Sequence, residues 1–165
     1  MTEHLATGVA PGDSDGFAGW VRPHLGAMAR LAARLAPGAE RDDVVQEALA
    51  RAWSKRRQYD ETRGTASAWL LAITADQARK AGRRTPPALE LVETAARSRD
   101  TDAGVDVERA VASLPERQRL AVDCFYFADL SVADTAAVMG CSEGTVKSTL
   151  SDARARLRPL LEVSA

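Results

Sequence analysis

The 165-residue sequence has few of the residues that staple, anchor or catalyse. Its two cysteines, Cys124 and Cys141, cannot build the multi-bridge framework of a small secreted domain. The two histidines, His4 and His24, lie far from both, so no zinc-ligand spacing arises and no metal is expected. The cysteines read instead as small apolar residues of a reducing compartment. No apolar run reaches the length of a membrane span, and the opening residues lack a basic segment followed by a hydrophobic one. A cytoplasmic protein is expected. Enzyme signals are also missing: there is no nucleophile–histidine pairing and no glycine loop for phosphates, and the paired carboxylates Asp42-Asp43 fall at a helix start. Neither catalysis nor a cofactor is expected.

Net charge is nearly absent too, at -1, but the balance is local. Residues 20–84 hold 13 Lys/Arg against 7 Asp/Glu, a surplus of +6. Residues 1–19 and 85–106 each carry -3, and residues 107–165, with 7 basic and 8 acidic groups, carry -1. Such asymmetry points to a polyanionic partner for the basic part, or to a merely solvated face.

What is abundant is helical spacing. Val21, Leu25, Met28, Ala32 and Leu35 recur at i, i+4, i+7, i+11 and i+14, and Pro37-Gly38 ends that helix. A second helix starts at Asp42-Asp43, where acid suits the positive helix end, with Val45, Ala48, Leu49, Ala52 and Trp53 as its stripe. After the loop "QYDETRGT", a third begins near Thr65, turns Ala66, Trp69, Leu70 and Ile73 inward, and stops at Gly82. The polar opening, residues 1–19, reads as a disordered tail. Residues 85–106, with Pro86-Pro87, read as a linker in which a short helix at 88–96 is possible. Four shorter helices follow: Val107–Ser113, one starting at Pro115, one opened by the capping-box pattern Ser131-Val132-Ala133-Asp134, and one capped by Ser142 after the break at Gly140. No strand pattern competes, so the expected fold is all-α, with two small helical domains joined by a flexible linker.

The last two helices make a helix-turn-helix. Val146, Leu150, Ala153 and Leu157 form the buried stripe of the second one. Opposite stand Ser142, Glu143, Gly144, Thr145, Lys147 and Ser148, short or polar residues at a helix start that can approach a major groove. An ordinary αα-hairpin with a solvated face has the same pattern, and the slight acidity of this segment forfeits phosphate attraction.

Taken in order, these segments resemble a sigma-70-family transcription initiation factor of the short extracytoplasmic-function (ECF) type. "DDVVQEALARAW" resembles the family's polymerase-binding helix, and "QYDETRGTASAWLLAI" with "TADQARKAGRR" resembles its promoter-melting and -10-reading segment. "LPERQRLAVDCFYFADLSVADTAAVMGCSEGTVKSTLSDARARL" is similar to its -35-reading domain. The resemblance implies sigma region 2 at 20–84 and sigma region 4 at 107–162. It implies that Asp43, Gln46, Glu47 and Arg51 dock on the β′ clamp helices of core RNA polymerase, with the β flap as a further contact. Tyr59, Arg63, Asp76, Gln77, Arg79, Lys80 and Arg83 would serve -10 reading and melting; Trp53 and Trp69 are assigned to the core. Ser142, Glu143, Gly144, Thr145, Lys147, Ser148 and Arg154 would read the -35 element. Promoter DNA and an anti-sigma factor are the other implied partners.

The sequence also departs from the family pattern. Thr149 stands where a basic residue is common, and Ser151-Asp152 where a His-Arg pair is common. Thr74-Ala75-Asp76 replaces a frequent Arg-Asn pair, and Ala66-Ser67 an aromatic-plus-basic pair. A stand-alone helix-turn-helix regulator and a degenerate sigma-like adaptor acting through protein contacts are therefore the alternatives.

Overall fold

The computed structural model of the chain describes residues 11–84 and 101–163. Among these residues all regular structure is helical. The α-helices are α1 (Ser14–Val21), α2 (Leu25–Leu35), α3 (Arg41–Ser54), α4 (Ala66–Arg84), α5 (Thr101–Ala112), α6 (Glu116–Val122), α7 (Val132–Met139) and α8 (Glu143–Glu162). Short 3-10 turns occupy Arg22–His24 and Arg56–Gln58, and a π-helical segment, Asp123–Phe127, continues α6.

The first departure from expectation lies at the N-terminus. Residues 1–10 lie outside the described part, but the stretch from Ser14 is a helix rather than tail. Asp13 caps it by accepting a hydrogen bond from the Gly16 amide at 3.0 Å. A side chain at Gly16 would meet the Asp13 carboxylate at 2.7 Å and Pro11 at 2.8 Å, so the glycine makes room for this start instead of loosening it. The helix forms because Phe17 and Trp20 have somewhere to go. Five of the chain's eight aromatic residues meet here: Phe17 lies edge-on to Trp53 at 5.2 Å, and Trp20, Tyr59 and Trp69 lie within 6.0 Å of one another.

Pro23, at the start of a 3-10 turn, interrupts the expected first helix near its start, so that Val21 closes α1 and Leu25 opens α2, since proline removes the amide that would continue the ladder. Along α3 the fully buried stripe is Val44, Ala48 and Ala52, while Val45, Leu49 and Trp53 flank it half-buried. Helix α4 runs past Gly82 to Arg84. The expected helix at 88–96 lies outside the described residues. Of the stretch expected as linker, residues 101–106 are helical and belong to α5.

In the second half, Gly140 ends α7 in the left-handed conformation (φ 65°, ψ 38°), and Ser142 caps α8 through the Thr145 amide at 3.1 Å. The stripe of Val146, Leu150 and Ala153 is buried against α5, α6 and α7, as its spacing requires.

Each half has a core cluster of its own, Ala32, Ala36, Val44 and Ala78 in the first and the residues packed on α8 in the second, and a further core is shared between them. Met28, Leu31, Leu70, Leu71 and Ala75 of the first half cluster with Cys124, Ala128, Leu130 and Val138 of the second. Helix α4 lies along α7, and α2 lies against the π segment. Small residues at this seam, Ala75 and Ala128 (both 0% exposed), let the two helical layers approach closely.

Candidate nucleic-acid interface

Helix α8 presents its start to solvent. Ser142, Glu143, Gly144, Thr145, Lys147 and Ser148 are all exposed, on the side opposite Val146 and Leu150. Ser142 has a second task, since its hydroxyl oxygen accepts the Thr145 amide. The Ser148 hydroxyl donates back to the Thr145 carbonyl at 3.0 Å, and Thr149 does the same at 2.7 Å. Thr149 is half-buried, whereas Ser151 and Asp152 are exposed. Lys147 is the one cation among the expected contacts at this helix start, so the face is suited to reading shape and base edges more than to gripping phosphate. Arg154, about two turns beyond Lys147, donates to the Tyr126 hydroxyl at 2.8 Å and is held on its own half.

The expected -10 residues divide into groups. Arg63 and Arg83 are exposed. Asp76 and Lys80 pair with each other at 3.1 Å across one turn of α4. Tyr59 and Gln77 depart from expectation, both being only 8% exposed. The ring of Tyr59 is packed between Trp20 and Trp69 and its hydroxyl donates to the Gly64 carbonyl at 3.3 Å, so no stacking face is offered to a base. Gln77 turns into the layer between α3 and α4 because its position follows the buried Leu70, Thr74 and Ala78 around the helix. Arg79 donates to the Val138 carbonyl at 3.3 Å, across the seam and at the C-terminal end of α7. Trp53 and Trp69 are half-buried members of the aromatic layer, matching their assignment to the core.

On α3, Asp43, Glu47 and Arg51 recur every four residues and Gln46 lies beside them; all four are exposed. They form one polar strip opposite Val44, Ala48 and Ala52. Beside Asp43 and Glu47 a shallow groove runs toward Lys80 and Arg84 of α4.

A cluster absent from the sequence reading lies along the seam. Arg34 of α2 reaches Asp123 at 2.7 Å and Glu108 at 2.7 Å, and its guanidinium stacks 3.6 Å from the centre of the Phe127 ring. Arg30, one turn earlier, donates to the Ala128 carbonyl at 3.1 Å. Ser67 donates to Asp134 at 2.9 Å. The capping box is thus half made: Ser131 accepts the Asp134 amide at 3.0 Å, but the Asp134 carboxylate is taken by the other half of the chain. Burial raises the Asp123 carboxyl pKa above its ordinary value even though Arg34 pulls the other way. Burial also works against the charged form of Arg34, but Glu108 and Asp123 outweigh it and hold the guanidinium protonated. The π segment makes the cluster possible. Its wide turn, with the Ala128 amide on the Asp123 carbonyl at 2.9 Å, brings Asp123 inward and sets Tyr126 and Phe127 outward. No short-range pattern announces these pairs, because partners such as Arg34 and Asp123 stand 89 residues apart.

Known proteins with this layout are transcription factors. The family model for Sigma-70 region 2 matches residues 20–85, and that for Sigma-70 region 4 matches residues 105–157. The ECF RNA polymerase sigma factor SigM of Mycobacterium tuberculosis is 37% identical over 169 residues, covering 96% of this chain and 83% of that protein. The ECF RNA polymerase sigma-E factor of Escherichia coli is 29% identical over 172 residues, covering 91% and 88%. Among solved structures, CnrH in complex with the cytosolic domain of CnrY superposes with a TM-score of 0.69 at 26% identity, covering 94% of each chain. The sigma factor RpoE of Bartonella quintana, in complex with the anti-sigma factor NepR, superposes with a TM-score of 0.59 at 28% identity, covering 90% and 98%. With both region matches in order along one chain and relatives aligned over nearly its whole length, this protein belongs to the ECF family of RNA polymerase sigma factors.

Proposed function

We propose that this chain, acting as an ECF sigma factor, docks on core RNA polymerase through the α3 strip of Asp43, Gln46, Glu47 and Arg51 and reads a promoter with two separate faces. The observation that carries the docking assignment is the strip itself: four polar residues at helical spacing, all exposed, backed by the buried stripe of Val44, Ala48 and Ala52. Charge on such a strip sets orientation and association rate. A stand-alone DNA-binding regulator would have no use for it.

The exposed start of α8, with Glu143, Gly144, Thr145, Lys147 and Ser148, is the -35 reader. Arg63, Arg79, Lys80 and Arg83 supply the basic side of the -10 reader in region 2, at 20–84, with region 4 at 107–162. Because Lys147 is nearly alone in its charge, each face binds weakly by itself, and polymerase raises their effective concentration by holding both. Phosphodiester chemistry belongs to the polymerase, so the factor needs no catalytic group of its own. No helix among the described residues is long and apolar enough to cross a membrane, which fits a factor working at the nucleoid in the cytoplasm. One solved neighbour, RpoE, was captured with an anti-sigma factor, which supports an anti-sigma protein as the regulator of this chain as well.

The test is capture of purified core polymerase by the chain, followed by run-off transcription on fragmented genomic DNA of its host. Glu47→Lys should abolish capture. Lys147→Ala should leave capture intact and cut transcripts several-fold. Loss of neither function in either variant would refute the assignment of both faces.

A further inference from the structure

A cavity of about 630 Å³ lies between the end of α2, the end of α5 and α6, and no residue of the α3 strip or of the α8 start lines it. Its size is that of sites that hold small organic ligands, roughly 300–1,000 Å³. The lining mixes two chemistries. Leu35, Val111 and Leu120 give it aliphatic surface, and beside them Arg34, Arg79 and Arg119 stand against Glu108, Glu116 and Asp123.

These charges are not equally satisfied. Arg34 is committed in full: it donates from Nε to Asp123 and from Nη1 to Glu108, both at 2.7 Å, and its face lies on the Phe127 ring. That one guanidinium answers two of the three acids. The third, Glu116, is exposed in the first turn of α6, where the positive helix end favours it. Arg79 and Arg119 have no such match. Each spends a donor on a backbone carbonyl, of Val138 at 3.3 Å and of Ala112 at 3.4 Å, distances beyond the best range for a hydrogen bond. Among the described residues neither forms an ion pair. Arg119 is half-buried, and its charge reaches far enough inward to favour the ionised form of Asp123. A half-buried cation with unspent donors beside aliphatic surface suits an anion that brings an apolar body with it.

We propose that this cavity binds an amphipathic organic anion, a carboxylate or sulfonate head on an apolar body, with the head on Arg119 and Arg79 and the body on Leu35, Val111 and Leu120. Guanidinium forks hold such heads through paired N–H donors, and the aliphatic lining gains by covering the body. Glu108 and Glu116 set the selectivity, because they repel a ligand with a second negative charge. One consequence rests on the sigma-factor reading. Arg79 stands on the basic side of the -10 reader, so an occupied cavity holds that side chain away from promoter DNA and makes promoter reading sensitive to the anion.

The probe is the dye anilinonaphthalene sulfonate, whose emission rises in apolar surroundings, set against phenylnaphthylamine, the same rings without the sulfonate. Titrated into the full chain, the sulfonate should saturate a single site. Arg119→Gln should weaken it about tenfold, the scale of one charge-assisted hydrogen bond, and leave the affinity for the neutral amine unchanged. Arg119→Lys should recover most of the loss. Ala112→Phe, which puts a ring into the cavity from an exposed position, should weaken both dyes. Absence of a saturable site would overturn the proposal. So would sulfonate binding that Arg119→Gln leaves intact, that Arg119→Lys loses as fully as Arg119→Gln, or that ignores Ala112→Phe. In run-off transcription, sulfonate at a concentration that saturates the parent should inhibit the parent and spare Arg119→Gln. Equal inhibition of both, or none in an active parent, would overturn the coupling to promoter reading. A parent that captures no polymerase would bring down the sigma-factor reading and this coupling, while the titrations alone decide the site.

Discussion

Removing Arg34 tests how much the polar seam contributes to stability. The side chains of Arg34 and Asp123 are 20% and 12% exposed, whereas Glu108 is 55% exposed. Breaking a fully buried ion pair costs about 3–5 kcal/mol and an exposed one about 0–1 kcal/mol. The Asp123 pair lies between these limits, so leaving that carboxylate without its cation costs about 2 kcal/mol. Loss of Glu108 and of stacking on Phe127 adds about 0.5 kcal/mol each. Arg34→Ala should therefore cost about 3 kcal/mol, a fall in Tm of roughly 6–12 °C for a chain of this size. In an Asp123→Ala background the same change should cost only about 1 kcal/mol, because no buried charge is orphaned. Glu108→Ala should cost under about 1 kcal/mol. The assay is urea unfolding followed two ways. Trp20, Trp53 and Trp69 all stand in the first half, so tryptophan fluorescence follows that half while circular dichroism follows both. The two curves should coincide in the parent if the core is shared. An Arg34→Ala loss under 1 kcal/mol, or one unchanged by Asp123→Ala, would refute the reasoning.

Three smaller perturbations follow from local geometry. Gly140→Ala places a Cβ in open space but at φ 65°, so its cost is purely conformational, about 1 kcal/mol by urea midpoint. Ser142→Asp should keep the helix cap and hence stability, yet weaken transcription by adding negative charge at the reading face; Ser142→Ala should lose about 1 kcal/mol. Burial lowers the His24 pKa below 6.5, and Asp134 only partly counters this. Below pH 6.5 the unfolded chain then binds more protons than the folded one, so stability falls as pH drops from 6.5 through the lowered value. His24→Gln should flatten that part of the stability–pH curve, measured by urea midpoints from about pH 7.5 down to 5.

Most of the helices, the α8 cap and the family were legible along the chain. Val146, Leu150 and Ala153 are buried where spacing placed them, Gly140 is left-handed, and Ser142 caps α8, because each depends on residues within one or two turns. The exposed strip of α3 was equally legible, although Val44 rather than Val45 lies in its buried centre. Residues near a break were harder: Ser14–Val21 is helical because Phe17 and Trp20 find partners more than thirty positions away. Long-range packing alone buries Tyr59 and Gln77, engages Arg79, and bonds Asp134 to Ser67 instead of letting it complete its own capping box. The physical reason is range. Caps and stripes are settled by neighbours along the chain, but a seam between halves depends on which surfaces meet. That meeting is decided by the summed fit of α4 on α7 and of α2 on the π segment, which no local pattern encodes.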